Sequence, residues 1–356
     1  MKHLLLIGGG HAHIVVLRSL ARSPLYGTRI TLVAPHARQM YSGMLPGFIA
    51  GHYRRDEIEI DVADLARRSY AEFVPGRVAA LDGEGRLARL EDGRKLAYDL
   101  VSLNAGSLVD TSLPGAAHAT AVKPFEPFIE DLSRLEGRRL AVAGAGAAGA
   151  ELAMALRYRG AQVTLYSEKP AMAPALAKRV ARALRRRAVD LRPGMAVTAI
   201  EPGPVVLTGP ARQEFDLVVL ATGAVPLPWL RESGLETDER GFVVVHDTLQ
   251  SVSHPEVFAA GDCATLRGAP HPKSGVFSVR HGEALVANLR RLAGDAALEP
   301  YVPQKKALLL LSCGERYAIA YRGGSGRTGW SAEGRWVWWW KNWIDRRWVR
   351  RLAPPC

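Results

Sequence analysis

One pattern occurs twice in this sequence and constrains the fold more than any other feature: an apolar run, a glycine-rich turn and a helical pattern. The first copy reads LLLIGGGHAH from Leu4, and the second reads LAVAGAGAAGAELA from Leu140. Each copy leads into a second apolar strand, at residues 29–33 and 162–166. A strand, a tight turn, a helix and a parallel strand form a βαβ unit of about 30 residues. The sequence therefore predicts an α/β fold with two such units.

The glycines of the second turn, Gly144, Gly146 and Gly149, have the spacing of a dinucleotide-binding loop. A helix N-terminus offers unpaired amides and about half a positive charge, and glycine lets a pyrophosphate approach them closely. In the first turn Gly8 and Gly10 match this spacing. His13 stands where a third small residue is expected, so we expect looser packing of that helix.

Further apolar strands indicate where each unit ends. Residues 98–107 (YDLVSLNAGS) close the first unit, residues 215–226 (FDLVVLATGAVP) close the second, and VFAAGDCA from Val257 adds one more buried strand. The sequence thus predicts two Rossmann-like dinucleotide-binding domains. The predicted divisions are residues 1–112 with 234–300 as a discontinuous first domain, residues 113–233 as an inserted second domain, and residues 301–356 as a C-terminal segment.

Composition excludes several classes of protein. The 356 residues are 48% hydrophobic and 23% charged, which is typical of globular domains. Three separated cysteines cannot form a disulfide framework, and His11, His13 and His52 lack a metal-ligand spacing, so we predict no metal. The apolar start is too short for a signal peptide, and no apolar run reaches the ~20 residues of a membrane span. We expect a reduced, intracellular protein.

The order of these motifs resembles the two-dinucleotide-binding-domain flavoproteins, oxidoreductases that include disulfide reductases and type II NADH:quinone oxidoreductases. The resemblance covers about residues 1–300, and residues 40–53 and 273–291 are similar to the flavoprotein branch sometimes fused to selenophosphate synthetase. It implies that the first turn binds FAD and the second binds NADH or NADPH. It also implies that Asp262 binds the ribityl or phosphate region of the flavin.

The cofactor-binding positions that follow from the motifs are Gly8, Gly10, His11, Ala105, Gly106, Gly261, Asp262, Gly144, Gly146, Gly149, Ser167, Glu168, Thr222 and Gly223. Neither copy has the usual ribose-binding carboxylate at the end of its second strand. Glu168 suits the ribose of NADH, whereas Ser167 with Lys169 suits the phosphate of NADPH. The sequence leaves both nucleotides open.

Residues 1–262 contain no cysteine. A disulfide reductase carries a redox cysteine pair beside its flavin, so we exclude a cysteine relay and expect electrons to leave the flavin directly. A quinone is the predicted acceptor, although VFSVRH at residues 276–281 lacks the glutamine pair of type II NADH:quinone oxidoreductases. The alternatives are a soluble reductase of a selenium or sulfur species or of an electron-carrier protein, and a flavin redox sensor.

The tail supports a membrane partner, and the net charge of +12 favours an acidic surface. Residues 336–352 (WVWWWKNWIDRRWVRRL) contain six of the eight tryptophans, with Lys341 and four arginines. At helical spacing Trp336, Trp340 and Trp343 share one face, which is typical of an interfacial helix. The alternatives are packing on the protein's own core and a homodimer interface. We expect no nucleic acid partner, and a peripheral location on the cytoplasmic, inner face of the cell membrane.

Five positions are candidates for chemistry at the flavin. Glu151 lies near the nicotinamide side in relatives. The positive charge of Lys123 would stabilise the anion of the reduced flavin. Arg280 or His281 would donate a hydrogen bond to the flavin C2 carbonyl or to the acceptor. Residues 40–46 are expected over the flavin ring, with Tyr41 or Ser42 shaping the acceptor face. A basic run at residues 178–187 is interpreted as a solvated helix face.

Overall fold

A computed structural model describes residues 1–130, 132, 135–169, 172–323 and 329–353 of the chain. Up to residue 112 the strands are β1 (Lys2–Ile7), β2 (Thr28–Ala34), β3 (Arg38–Met40), β4 (Glu59–Asp61), β5 (Ala71–Pro75), β6 (Val78–Asp82), β7 (Leu87–Leu90), β8 (Lys95–Ala97), β9 (Leu100–Leu103) and β10 (Leu108–Val109). The helices of this part are α1 (His11–Arg22), α2 (Leu45–Ile49), α3 (Arg55–Ile58) and α4 (Val62–Arg68).

Residues 113–233 repeat this plan. Their strands are β11 (Thr120–Ala121), β12 (Arg139–Ala143), β13 (Gln162–Ser167), β14 (Asp190–Pro193), β15 (Ala199–Glu201), β16 (Val205–Thr208), β17 (Ala211–Glu214), β18 (Leu217–Leu220) and β19 (Ala224–Val225). Their helices are α5 (Phe125–Glu130), α6 (Ala147–Tyr158) and α7 (Pro174–Arg186).

The remaining elements complete the first unit and add a C-terminal module. They are β20 (Val243–Val245), β21 (Val257–Ala259), β22 (Ala264–Leu266), α8 (Gly275–Ala293), β23 (Ala307–Cys313), β24 (Glu315–Gly323), β25 (Gly329–Gly334) and α9 (Arg335–Arg350). Across the described residues, no helix combines the length and the apolar character that crossing a bilayer requires.

Each unit is built on a parallel five-stranded sheet. The strand orders are β21-β9-β1-β2-β5 and β11-β18-β12-β13-β14, so β1 and β12 occupy equivalent central positions. Leu4, Leu5 and Leu6 in β1 are fully buried, because a parallel sheet is covered on both faces. Since β21 pairs with β9, the first sheet combines strands that precede residues 113–233 with a strand that follows them. The domain divisions at 112/113 and 233/234 stay a prediction.

Helix α1 crosses α8 at close range on one face of the first sheet. A Cβ atom at Gly282 would lie 2.7 Å from the Val15 Cβ and 2.8 Å from the Ala12 carbonyl oxygen. The absence of a side chain at this residue therefore sets the separation of the two helices. At the start of α8, Gly275 lies close to His11, the residue that follows the first glycine turn.

The C-terminal module packs on the second unit. Its antiparallel sheet β23-β24-β25 and helix α9 contribute Leu311, Ile319, Val337 and Trp338 to the buried cluster around α6. The basic run on α7 also faces this module, and the prediction of a solvated face is wrong for part of it. Arg179 and Arg182 both form ion pairs with Glu333 on β25.

Candidate cofactor and acceptor site

Both glycine turns lie at the carboxyl ends of the central strands β1 and β12. In each sheet the chain continues from the central strand to strands on one side of it and later adds a strand on its other side. Such a switch point forms the ligand crevice of an open α/β sheet. The two turns thus occupy the place where this architecture binds nucleotides.

Asn104, at the end of β9, organises the first turn. Its Oδ1 atom accepts hydrogen bonds from the backbone amides of Ala12 (3.0 Å) and His13 (3.2 Å). Its Nδ2 atom donates to the Ala260 carbonyl oxygen (2.7 Å). Cβ atoms at Gly8 or Gly10 would overlap Asn104, and Gly8 has a φ of +96°. Sequence reasoning missed this residue, which makes glycine obligatory at both positions.

The expectation of looser packing at His13 is wrong. The ring of His13 is fully buried, with Nδ1 2.6 Å from the Gly8 carbonyl oxygen and Nε2 2.8 Å from the Ser102 hydroxyl. Burial lowers the pKa of His13 to about 4, so the ring is neutral near pH 7. The imidazole thus connects the glycine turn to the sheet through hydrogen bonds. A small residue at this position would allow only close packing of the helix on the strand.

The second turn has its own close approaches. Gly144 has a φ of +109°, and a Cβ there would overlap the Ala221 carbonyl oxygen at the end of β18. A Cβ at Gly149 would overlap the Gly144 carbonyl oxygen. Gly146 is the N-cap residue of α6 and has no side chain to cap that helix. The first-turn amides of α6 are therefore available to an anion.

Three glycines leave room beside the backbone for a ligand. A Cβ atom at Gly146, at Gly106 after β9 or at Gly223 after β18 would meet no other atom within 4 Å. These three glycines follow the carboxyl ends of β12, β9 and β18, beside the two turns that are predicted to bind dinucleotides. The backbone geometry therefore fits a nucleotide at each turn.

Charged and polar side chains meet at the first turn. The Asp262 carboxylate accepts a hydrogen bond from Ser107 (3.3 Å) and lies 3.3 Å from the Lys123 ammonium. Burial lowers the pKa of His11 to about 4, and the charge of Asp262 acts in the opposite direction on this pKa. Three of the predicted positions, His11, Lys123 and Asp262, thus lie together.

Tyr41 connects this cluster to the C-terminal helix. Its ring centroid is 5.4 Å from that of His11, and its hydroxyl donates to Asp345 (3.2 Å). Asp345 also forms an ion pair with Lys341 (2.6 Å), and Lys341 donates to the Gly43 carbonyl oxygen (2.6 Å). The segment predicted to cover the flavin is therefore held between the first turn and α9.

Glu151, on α6 two residues after Gly149, lies beside the same network. Its Oε1 atom accepts a hydrogen bond from the Ser312 amide (2.7 Å). Burial raises the pKa of Glu151 to about 7, although the positive charge of Lys341 opposes this shift. The carboxyl group consequently exchanges a proton near neutral pH.

Two predicted catalytic residues are placed elsewhere. Arg280 is exposed on α8 and pairs with Glu283 (2.8 Å), so the structure does not bring it to the cluster. His281 is fully buried, and both of its ring nitrogens have protein partners, Gly261 and His271. Both nitrogens are thus engaged within the protein, which disfavours donation to the flavin C2 carbonyl or to the acceptor, and the role of His281 stays a prediction.

The remaining nucleotide-binding candidates lie at the ends of β13 and β18. Glu168 is exposed and pairs with Lys169 (2.9 Å), and the Ser167 hydroxyl donates to the Lys169 carbonyl oxygen (3.2 Å). Thr222 donates to the Asp110 carbonyl oxygen (2.5 Å), which fixes the turn before Gly223. These contacts leave NADH and NADPH equally open.

Residues 2–283 match the family described as pyridine nucleotide-disulphide oxidoreductase. The chain belongs to this family. Membership confirms the predicted fold of two Rossmann-like units and the predicted cofactors, FAD and NADH or NADPH, and it makes the chain an oxidoreductase. The assignment of individual residues to these cofactors stays a prediction.

Several known proteins can be aligned with the chain. Nitric oxide reductase FlRd-NAD(+) reductase of Aeromonas salmonicida is 32% identical over 218 residues, which are 58% of this chain and 56% of that protein. Ferroptosis suppressor protein 1 of Homo sapiens is 24% identical over 336 residues, 86% of this chain and 85% of that protein. The chain thus spans little more than half the length of the Aeromonas relative.

A solved structure shows the same fold over nearly the whole chain. The sulfide:quinone oxidoreductase of Aquifex aeolicus superimposes with a TM-score of 0.82 at 17% identity, covering 99% of this chain and 91% of that one. At this identity the likeness concerns the fold alone.

The family name refers to disulphides, but the cysteines of this member do not provide a redox pair at the turns. Cys263 and Cys313 are buried and free, and Cys356 lies outside the described residues. Burial raises the pKa of Cys263 to about 11 and that of Cys313 to about 12, so neither forms a thiolate near pH 7. Cys263 packs as a small, fully buried side chain.

Helix α9 of this family member has two contrasting faces. Val337, Trp338, Lys341 and Asp345 are buried against the protein, so Lys341 is not available to lipid. The opposite face exposes more than half of each of three tryptophan side chains, together with basic residues. Its members are Trp336, Trp339, Trp343, Arg347, Arg350 and Arg351. We call this set the Trp/Arg face.

Proposed function

We propose that the chain is an FAD-dependent NAD(P)H oxidoreductase that passes electrons directly to a quinone at the inner face of the cell membrane. The observation that carries this proposal is the position of α9. Its buried face touches Tyr41 beside the first glycine turn, while its other face exposes three tryptophans and three arginines. One helix thereby connects the cofactor site with a surface suited to lipid, where quinones dissolve.

The glycine turns would hold the two dinucleotides. Gly8 and Gly10 with Asn104 form the turn for FAD, and Gly144 and Gly146 form the turn for NAD(P)H. Bound FAD supplies hydride acceptance from the nicotinamide and transfer of electrons onward. Because residues 1–262 contain no cysteine, these electrons do not pass through a disulfide.

Two side chains near the turns have charges suited to this chemistry. Lys123, 3.3 Å from Asp262, supplies a positive charge beside the first turn. Glu151, with its pKa raised to about 7 by burial, holds a proton that reduction of a quinone consumes. Both would act by holding charge or a proton near the flavin.

The Trp/Arg face would lie at the headgroup level of the bilayer. Tryptophan is enriched at this depth, and each arginine near anionic lipid contributes about 1 kcal/mol. The Arg347 guanidinium lies 5.4 Å from the ring centroid of Trp343, which keeps the cation over an aromatic surface. These features of α9 support a peripheral attachment to the membrane.

A stopped-flow experiment tests the acceptor. The holoenzyme is reduced anaerobically with NADH, and separately with NADPH, and is then mixed with a soluble short-chain quinone. We expect the flavin absorbance to recover much faster than it does with dissolved oxygen. Recovery no faster than with oxygen would reject quinone as the acceptor.

A surface variant tests the membrane contact. Deleting α9 would remove Val337 and Trp338 and so uncover the buried cluster around α6. We therefore prefer the triple substitution Trp336→Ser, Trp339→Ser and Trp343→Ser. We expect it to lose sedimentation with anionic vesicles while its NADH–ferricyanide activity is unchanged. The matched control substitutes exposed aromatics on other surfaces, Tyr26→Ser and Tyr70→Ser.

The same experiment separates the remaining interpretations of the Trp/Arg face. Unchanged vesicle binding in the triple variant would reject attachment through α9. A change from dimer to monomer in analytical ultracentrifugation, with no effect on vesicles, would assign the face to a homodimer interface.

A small electron-carrier protein is the second candidate acceptor, because the Aeromonas relative is named for reduction of FlRd, and that relative is 32% identical over the matched residues. A purified rubredoxin or ferredoxin added to the NADH-reduced holoenzyme tests this candidate. Reduction of the carrier at a rate above that of the quinone would favour it.

A further inference from the structure

His281 on α8 lies directly beneath the turn that carries Asp262. Its side chain is fully buried, and its Nδ1 atom accepts a hydrogen bond from the Gly261 amide (2.9 Å). Its Nε2 atom is 2.9 Å from Nε2 of His271, whose ring stacks on Phe277 with centroids 4.3 Å apart. The backbone of the Gly261–Asp262 turn therefore rests on a pair of histidines.

The partners determine which nitrogens carry protons. Because the Gly261 amide donates to Nδ1, neutral His281 carries its proton on Nε2 and donates it to His271. His271 then carries its proton on Nδ1, 3.3 Å from the Pro272 carbonyl oxygen. One arrangement of two neutral imidazoles thus satisfies the whole chain from Pro272 to Gly261.

The Gly261–Asp262 turn is closely packed against its neighbours. Gly261 has a φ of +72°, and a Cβ atom there would lie 2.5 Å from the Asn104 Nδ2 and 2.7 Å from the Ser278 hydroxyl. The Gly261 amide is enclosed on that side, so loss of its acceptor leaves a buried donor unsatisfied.

A proton on either ring breaks the arrangement. Protonated His271 presents an N–H to the N–H of His281, and protonated His281 presents an N–H to the Gly261 amide. The charged groups facing the pair are Lys273 and Asp262, and the Tyr301 ring contacts His281 edge-on with centroids 5.0 Å apart. Arg280 and Glu283 lie beyond Tyr301.

We propose that His281, oriented by His271, is a positioning residue that holds the Gly261–Asp262 turn in its cofactor-binding conformation and releases it when the pair takes up a proton. This inference rests on the proposed role of Asp262 in binding flavin. It gives the enzyme a flavin affinity that falls in acid.

The direction of the pH effect follows from the shifts. Burial lowers the pKa of His281 from 6.5 to about 3, and burial also lowers the pKa of His271. Between pH 6.5 and about pH 3, His281 takes up a proton in the unfolded chain but not in the folded turn, so the unfolded chain binds more protons. The support of the turn is complete above pH 6.5 and is lost as the pH falls toward 3.

Flavin release from the holoenzyme tests the proposal, measured as fluorescence of the free flavin between neutral pH and pH 4. His281→Leu removes the acceptor, and we expect flavin to bind about tenfold more weakly at neutral pH. His281→Asn keeps an acceptor oxygen near the Gly261 amide but cannot be protonated. We expect near-normal affinity at neutral pH and a smaller increase of release in acid. The control is His246→Asn, at an exposed histidine.

Two results would overturn the inference: wild-type affinity in His281→Leu, or a wild-type acid profile in folded His281→Asn, with folding checked by circular dichroism. A wild-type protein that cannot be reconstituted with flavin at any pH would instead reject the proposed function itself. Flavin bound with equal pH profiles in all variants rejects only the positioning role.

Discussion

Asn104 links three parts of the first cofactor site: the start of α1, the end of β9 and the residue before the Gly261–Asp262 turn. Replacing it with alanine leaves the Ala12 and His13 amides and the Ala260 carbonyl oxygen without this partner. Each buried group without a partner destabilises the fold, so we expect Asn104→Ala to lower the free energy of unfolding by about 2–4 kcal/mol. Urea denaturation of the cofactor-free protein measures this change.

A second asparagine provides the comparison. Asn342 on α9 is partly exposed and accepts a hydrogen bond from Arg346 (3.0 Å). Asn342→Ala should cost less than about 1 kcal/mol, because water replaces the lost partner. Equal losses for the two variants would contradict the structural role of Asn104.

Glu151 makes stability depend on pH, because burial raises the pKa of its carboxyl group from 4.5 to about 7. Between these values the folded protein binds more protons than the unfolded chain, so stability falls as the pH rises through this range. The integrated effect is at most about 3 kcal/mol. We expect Glu151→Gln, which cannot ionise, to lose less stability than the wild type between pH 5 and pH 8 in urea denaturation.

The comparison of slopes decides this prediction. If both proteins lose the same free energy of unfolding between the two pH values, Glu151 ionises as an ordinary surface carboxyl. The NADH–ferricyanide activity of both proteins, followed over the same range, reports separately on any role of this proton in turnover.

Helix α9 contains a buried ion pair whose two members also form hydrogen bonds with Gly43 and Tyr41 outside the helix. Lys341 and Asp345 expose only 6% and 4% of their surface, and burial raises the pKa of Asp345 despite the ammonium 2.6 Å away. Lys341→Met leaves an unpaired buried carboxylate, so we expect a loss of about 3–5 kcal/mol. The double variant Lys341→Met with Asp345→Leu should lose less than Lys341→Met alone, as measured by urea denaturation.

An exposed ion pair serves as the reference for this cycle. Arg29 and Glu72 are 2.9 Å apart, and more than half of each side chain is exposed. Removing both should cost less than about 1 kcal/mol with little coupling. Coupling as weak between Lys341 and Asp345 would show that the buried pair contributes no more to stability than an exposed one.

The same helix shows what a helical pattern predicts and what it omits. Spacing alone grouped Trp336, Trp340 and Trp343 on one face. Trp336 and Trp343 are exposed, whereas Trp340 packs against the buried cluster around α6, so the grouping is wrong for Trp340. It could not predict that Lys341 is buried, because lysine is almost never fully buried unless a partner offsets the cost of desolvation. That partner includes the Gly43 carbonyl oxygen, nearly 300 residues away in the sequence.

The repeated architecture of the whole molecule could be predicted because its signals are local. Each glycine turn lies within ten residues of the strand and the helix that it joins, so strand, turn and helix are visible in one short segment. The contacts that complete the first site connect distant segments, as in the bond from Asn104 to Ala260 and the pair of Lys123 with Asp262. Only the assembled sheet brings such residues together. The family resemblance placed Lys123 and Asp262 near the flavin, but the sequence could not predict their ion pair or the role of Asn104.

The distribution of charge over the molecule decides how it would meet a membrane. The net charge is +12, but attraction to anionic lipid depends on the arginines within a Debye length of the surface, about 8 Å at physiological salt. We therefore expect Arg347→Gln with Arg350→Gln and Arg351→Gln to abolish the preference for anionic over neutral vesicles in sedimentation assays. Raising the ionic strength about tenfold should have the same effect on the wild type.

A variant with the same net charge separates position from total charge: Arg77→Gln, Arg89→Gln and Arg185→Gln alter exposed arginines elsewhere. If the two triple variants bind anionic vesicles equally well, the total charge and not the Trp/Arg face governs the contact.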